Sequence, residues 1–172
     1  MKNLGHRLGA SGTILENTVE GLLESLDLVS DKRFKYWEFD VRESSDGVLF
    51  AFHDDCIKIN GKMIETRYLS YDEIYRAGES MMIRIPTFQQ IMEVLRDREE
   101  RVMIEIKNVH SDVARETLLL SVSGSEDWIL MSTPERFVKS FPSTTRDLWN
   151  ERARTLGAVS YTHLTLPTIC SV

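Results

Sequence analysis

The chain has 172 residues, 42% of them hydrophobic, which is enough for one domain with a buried core and too much for a disordered segment. Its formal charge of -6 at pH 7 leaves no basic face for a general grip on nucleic acid, and no apolar run approaches the roughly 20 residues that span a bilayer. Cys56 and Cys170 alone give no disulfide framework, and no signal peptide lies between Met1 and His6, so a cytoplasmic location is expected.

In chain order, His6-Arg7 reads as the close of a short first strand. The loop after it, Leu8-Gly9-Ala10-Ser11-Gly12, fits either an anion-facing set of N–H groups or a plain flexible connection. Asn17 and Thr18 supply N-cap chemistry, and Val19, Leu22, Leu23 and Leu26 recur at helical spacing, which predicts a helix over residues 18–30. A strand over 36–41, the tight turn Ser44-Ser45-Asp46-Gly47 and a strand over 48–53 follow.

Residues 68–74 read as a short capped helix. Ile85-Pro86-Thr87 opens another, with Thr87 at the cap and Phe88, Ile91, Met92 and Leu95 facing inward. The charge run 96–101 fits a solvated helix end. Then come a strand over 102–107, a helix over 112–120, a strand over 128–132, a helix over 134–140 and the start of a further strand over 145–149.

The far end has a different character. Codons for residues 159–168 can be chosen as GTC TCT TAT ACA CAT CTG ACG CTG CCG ACG, which is similar to the transposase end and adapter of sequencing libraries. Residues 159–172 are therefore read as a non-native, adapter-encoded tail, and 1–158 as the protein proper. A polar C-terminal strand is the alternative that propensity allows.

Strands alternating with helices predict an α/β fold with a parallel sheet. Charged groups at strand ends fit a (β/α)8 TIM-type barrel, and about 158 residues is short of its usual ~250, so only the first half or so of the barrel is expected here.

Side chains two apart on a strand share a face. Glu38 and Asp40 therefore point together, as do Glu105 and Lys107, while Trp37, Phe39, Val41, Val102, Ile104 and Ile106 point toward a core. Three carboxylates on neighbouring strands suit a hard divalent cation, and without a positive partner they repel. Taken singly, Glu-x-Asp also fits a half-exposed strand. His53 follows a strand and is of the type that titrates near neutrality, although such a histidine is also commonly structural. His6 stands beside Arg7, whose donor fork suits phosphate oxygens. His110 lies past a strand end without a matching partner and is given no role.

Taken in order, His6-Arg7, Glu16-Asn17-Thr18, Glu38-x-Asp40, Asp46-Gly47, His53-Asp54, Ile85-Pro86-Thr87 and Glu105-Ile106-Lys107 resemble the successive motifs of the glycerophosphodiester phosphodiesterases. The resemblance runs from about residue 4 to 108. It implies a TIM-barrel enzyme that hydrolyses a small-molecule glycerophosphodiester to glycerol 3-phosphate and an alcohol, using a divalent cation, Mg2+ or Ca2+. By position it implies Glu38, Asp40 and Glu105 as metal ligands, His6 and His53 as the acid/base pair, and Arg7 and Lys107 as phosphate contacts. It further implies attack of the glycerol 2-hydroxyl on phosphorus to give a cyclic phosphate that water opens.

Two departures stand out: His-Arg-Leu-Gly is one residue longer than the family's His-Arg-Gly, and Leu15 replaces a proline. Three other readings are a phospholipase D-like lyase on lysolipid head groups, a non-catalytic module that binds phosphate ligands, and an inactive fragment.

Overall fold

The computed structural model describes residues 3–157. The tail 159–172, with Cys170, lies outside the described residues. The element order is α1 (Val19–Glu24), β1 (Trp37–Glu43), β2 (Leu49–Ala51), β3 (Cys56–Ile59), β4 (Lys62–Glu65), α2 (Tyr71–Ser80), α3 (Phe88–Leu95), β5 (Val102–Asn108), α4 (Asp112–Ser121), β6 (Trp128–Met131), α5 (Pro134–Ser140) and α6 (Arg146–Thr155).

The main sheet has the order β2-β1-β5-β6. β1 pairs parallel with β5 from Trp37↔Val102 to Arg42↔Asn108, and β5 pairs parallel with β6 from Val102↔Trp128 to Glu105↔Met131. A helix lies in each crossover, as parallel pairing requires. β2 differs, returning antiparallel along β1 from Glu43↔Leu49 to Val41↔Ala51. Gly47, at φ 85, takes the left-handed position in the turn between them.

β1 is buried along its whole length, as expected for a strand covered on both faces. Its apolar side, Trp37, Phe39 and Val41, joins Ile104, Ile106 and Leu130 and the inner faces of α3 and α4 in the larger core. A smaller core of Phe50, Ile57, Leu69, Ile74, Ala77 and Ile85 holds the β3–β4 hairpin and α2. The helix starts carry the caps their sequences promise. Ser70 with Glu73 and Thr87 with Gln90 form reciprocal capping boxes, and Thr18, Ser111 and Thr133 accept single backbone bonds. Each such cap contributes about 1 kcal/mol.

Three expectations are corrected and one element is added. The helix over 18–30 ends at Glu24 and gives way to a 3-10 turn over Leu26–Ser30, which leaves Leu23 exposed. Gly9 crosses there so closely that a Cβ would lie 2.5 Å from Ser25 Cβ. The first strand is replaced by turns. Gly5 O accepts the Glu38 N–H at 2.9 Å and Leu8 N–H donates to Glu38 O at 2.8 Å, after which Arg7 and Leu8, at φ 50 and 59, have turned the chain away. The β3–β4 hairpin was not anticipated, although Asn60-Gly61, at φ 49 and 79, is the turn signal for it. Residues 145–149 begin helix α6 instead of a strand, because Trp149 and Ala153, four apart, are both buried and Arg152 pairs with Glu116 of α4.

Candidate active site

The parallel register sets Asp40 directly opposite Glu105. With Glu38 two residues before Asp40, and Lys107 two after Glu105, four charged groups are brought onto one side of two adjacent strands. One oxygen from each of Glu38, Asp40 and Glu105 lies within 4.8 Å of the others. Lys107 Nζ bridges two of them, donating to Glu105 Oε1 at 2.6 Å and lying 3.0 Å from Asp40 Oδ1.

Asn17 was read only as a helix-capping residue, and it turns out to clamp Asp40. It is buried, its Nδ2 donates to Asp40 Oδ2 at 2.8 Å, and its Oδ1 accepts the Asp40 N–H at 3.1 Å. The available signal was the triplet Glu16-Asn17-Thr18, each member of which does separate work. Thr18 caps α1, and both Glu16 oxygens accept from Arg7 NH1 at 2.7 and 2.8 Å. Arg7 also donates its backbone N–H to Glu38 Oε2 at 2.9 Å, while its buried Nε has no hydrogen-bond partner among the described residues.

Glu38 is 3% exposed, and its Oε1 is likewise buried without a partner among the described residues. Burial, then the neighbouring Asp40 charge, pushes its carboxyl up to about 7, against the lowering effect of the Arg7 N–H. An all-oxygen set with an unpartnered buried oxygen fits a hard divalent cation.

His6 Nε2 lies 3.7 Å from Glu38 Oε2, and its Nδ1 meets Ser11 Oγ at 2.9 Å. His53 is half-exposed, with Nδ1 2.7 Å from Asp54 Oδ1. It lines a cavity of about 220 Å³ whose walls include Glu16, Asn17 and Phe52. The glycine-bearing loop does not present free N–H groups to an anion. Gly9 N–H donates to His6 O at 3.2 Å and Gly12 N–H to Glu16 Oε2 at 2.9 Å. His110 does have a partner that sequence reasoning missed, the buried Glu43, which accepts the His110 N–H at 2.6 Å and the Ser111 N–H at 3.0 Å.

The chain matches the model of the glycerophosphoryl diester phosphodiesterase family over residues 6–168. It belongs to that family. Among solved structures it is similar to a glycerophosphodiester phosphodiesterase from Agrobacterium tumefaciens, with 24% identity and a TM-score of 0.52, covering 78% of this chain and 57% of that one. A glycerophosphodiester phosphodiesterase from Parabacteroides distasonis gives 23% identity and a TM-score of 0.52 over 80% of this chain and 60% of that one. A glycerophosphoryl diester phosphodiesterase domain from Mycobacterium tuberculosis gives 14% and 0.58 over 89% of this chain and 56% of that one.

These likenesses establish the shared fold, a TIM-type barrel of which this chain forms part, and the chain spans less than two thirds of each structure. No curated protein matches it. Among the described residues no helix is long and apolar enough to cross a membrane.

Proposed function

We infer that the full-length polypeptide is a divalent-cation-dependent phosphodiesterase that cleaves glycerophosphodiesters to glycerol 3-phosphate and an alcohol. Residues 1–158 would supply the N-terminal part of its barrel. The observation that carries this reading is the pair of buried atoms without a hydrogen-bond partner among the described residues, Glu38 Oε1 and Arg7 Nε, the latter 3.7 Å from Asp40 Oδ2. The first is an acceptor suited to a cation and the second a donor suited to a phosphate oxygen.

Glu38, Asp40 and Glu105 are the residues to hold Mg2+ or Ca2+. When bound, such an ion neutralises charge developing on phosphate oxygens and orients them. Arg7 and Lys107 bind the phosphate, whose negative charge matches their own positive one.

His6 and His53 divide the proton transfers. One imidazole takes the proton of the glycerol 2-hydroxyl as its oxygen bonds to phosphorus. The other protonates the oxygen of the departing alcohol as the P–O bond to it breaks. Water then opens the cyclic phosphate with the two roles exchanged, giving glycerol 3-phosphate. Asp54, at 2.7 Å from His53 Nδ1, fixes the orientation of that ring.

The test is release of glycerol 3-phosphate from glycerophosphocholine or glycerophosphoethanolamine by the full-length polypeptide with Mg2+ or Ca2+. Turnover that chelator stops, and that His6→Ala or His53→Ala cuts to a small residual rate, is expected. Turnover indifferent to both histidines and to chelator would sink the reading.

A further inference from the structure

His53 sits on the segment 52–55, which lies outside β2 and β3 and is held by backbone bonds at its two ends, Phe52 N–H to Asp40 O at 3.2 Å and Thr66 N–H to Asp55 O at 2.9 Å, which leaves its middle to be fixed by a side chain. The side chain that does so comes from β1. Arg42 stands two residues beyond Asp40, and the β1–β5 register shifts between Val41 and Arg42, an irregularity of the kind that re-aims a side chain. Its guanidinium is 3% exposed. A cation buried to that degree requires acceptors on its donors.

Its acceptors among the described residues lie on that one segment. Arg42 Nε donates to Phe52 O at 3.0 Å, its NH2 donates to His53 O at 2.7 Å, and the same NH2 lies 2.7 Å from Asp55 Oδ1. A second arginine, Arg136 of α5, completes the arrangement. It donates to Asp55 Oδ1 at 3.1 Å, to Asp55 Oδ2 at 3.3 Å and to the backbone O of Lys107 at 3.1 Å. The Asp55 carboxylate therefore joins two guanidinium groups, one from the strand of Glu38 and Asp40 and one tied to the end of the strand of Glu105 and Lys107.

We propose that Arg42 is a positioning residue for His53, and that Asp55 and Arg136 lock the same segment against the end of β5. The inference rests on the reading of His53 as one of the acid/base pair. Arg42 touches no reacting atom. Its carbonyl contacts set where the His53 backbone, and so the imidazole, stands relative to the carboxylate cluster, and misplacement by about 1 Å can cost on the order of 100-fold in rate.

The test is a double-mutant cycle in the full-length polypeptide, using Arg42→Gln and His53→Ala on glycerophosphocholine and on a diester with a nitrophenol leaving group. Arg42→Gln should lower kcat about 10- to 100-fold, with KM and cation affinity changed less than about 3-fold. It should also shift the ratio of the two substrates in the same direction as His53→Ala, and add no further loss in the His53→Ala background.

A merely structural arginine would instead add its full loss in that background, and this outcome overturns the proposal while leaving the reading of His53 intact. Wild-type turnover by His53→Ala overturns both together. If Arg42→Gln does not fold, Asp55→Asn and Arg136→Gln, at more exposed positions, enter the same cycle with the same deciding outcomes.

Discussion

Replacing Glu38 by Gln tests the cation site without needing turnover. Glu38 is 3% exposed, and burial followed by the charge of Asp40 raises its carboxyl from the ordinary 4.5 to about 7. The folded chain thus holds this proton more tightly than the unfolded chain does. Between about pH 4.5 and 7 the unfolded state binds fewer protons, so stability falls as pH rises, and the loss is complete above the folded value. The interval corresponds to about 3 kcal/mol.

Gln keeps the shape and an acceptor for the Arg7 N–H but has no charge to bury. In chelator, Glu38→Gln should gain up to about 3 kcal/mol on wild type between about pH 5 and pH 8, read from urea denaturation at both values. Added Mg2+ or Ca2+ should close most of that gap at the higher pH. A cation at about 100 times its Kd stabilises wild type by about 2.7 kcal/mol, and the variant should lack most of that gain. Parallel pH profiles for the two proteins in chelator, or equal stabilisation by cation, would refute the argument.

Three further outcomes follow from the same geometry. Asn17→Ala removes both partners of Asp40 supplied by that side chain and should cost about 2 kcal/mol in denaturation. Calorimetry should show cation affinity roughly 10- to 100-fold weaker, and unchanged affinity in a folded variant would count against the clamp. His53→Ala should leave cation affinity within about 3-fold while cutting turnover to a small residual rate, so a parallel loss of both would assign His53 to the cation site. Burial works to raise the Asp55 carboxyl, but hydrogen bonds from Arg136 and Arg42 outweigh it and hold the group at about 2. Its contribution is therefore present above 3.8 and lost as pH falls toward about 2. Because the side chain is 61% exposed, the acid limb of stability in Asp55→Asn should change by no more than about 1 kcal/mol, and a larger change would show that the bridge is better shielded than its exposure indicates.

The parts of the fold that were legible in the sequence are those where pattern and local chemistry agree. Thr87-x-x-Gln90 ahead of Phe88, Ile91, Met92 and Leu95 names both the start and the inward face of α3. The helix Pro134–Ser140 was anticipated to the residue, because Thr133 and Pro134 mark its start. Failures occur where the deciding interaction is distant. Thr144 and Thr145 favour a strand locally, and α6 forms because Trp149 and Ala153 meet a core built from other elements. In the site, the alternation Glu38-x-Asp40 and Glu105-x-Lys107 was readable because it depends on strand geometry alone. Arg42 and Glu43 lie on the same strand and were passed over. Most of their acceptors and donors, the carbonyls of residues 52 and 53 and the N–H groups of residues 110 and 111, are backbone atoms that carry no sequence signature.

Strand β1 shows how a face that repels itself persists in a stable sheet. Glu38 alone costs about 3 kcal/mol when charged without a cation, by the shift already given. On the opposite face of the same strand Trp37, Phe39 and Val41 are fully buried, and each contributes about 2 kcal/mol through the apolar surface it removes from water. The apolar side outweighs the cost at Glu38 roughly twofold. Alternation along a single strand therefore separates the two requirements. Substitutions on the apolar side should change stability with little effect on cation affinity, whereas Glu38→Gln on the charged side should change cation affinity and stability in opposite directions.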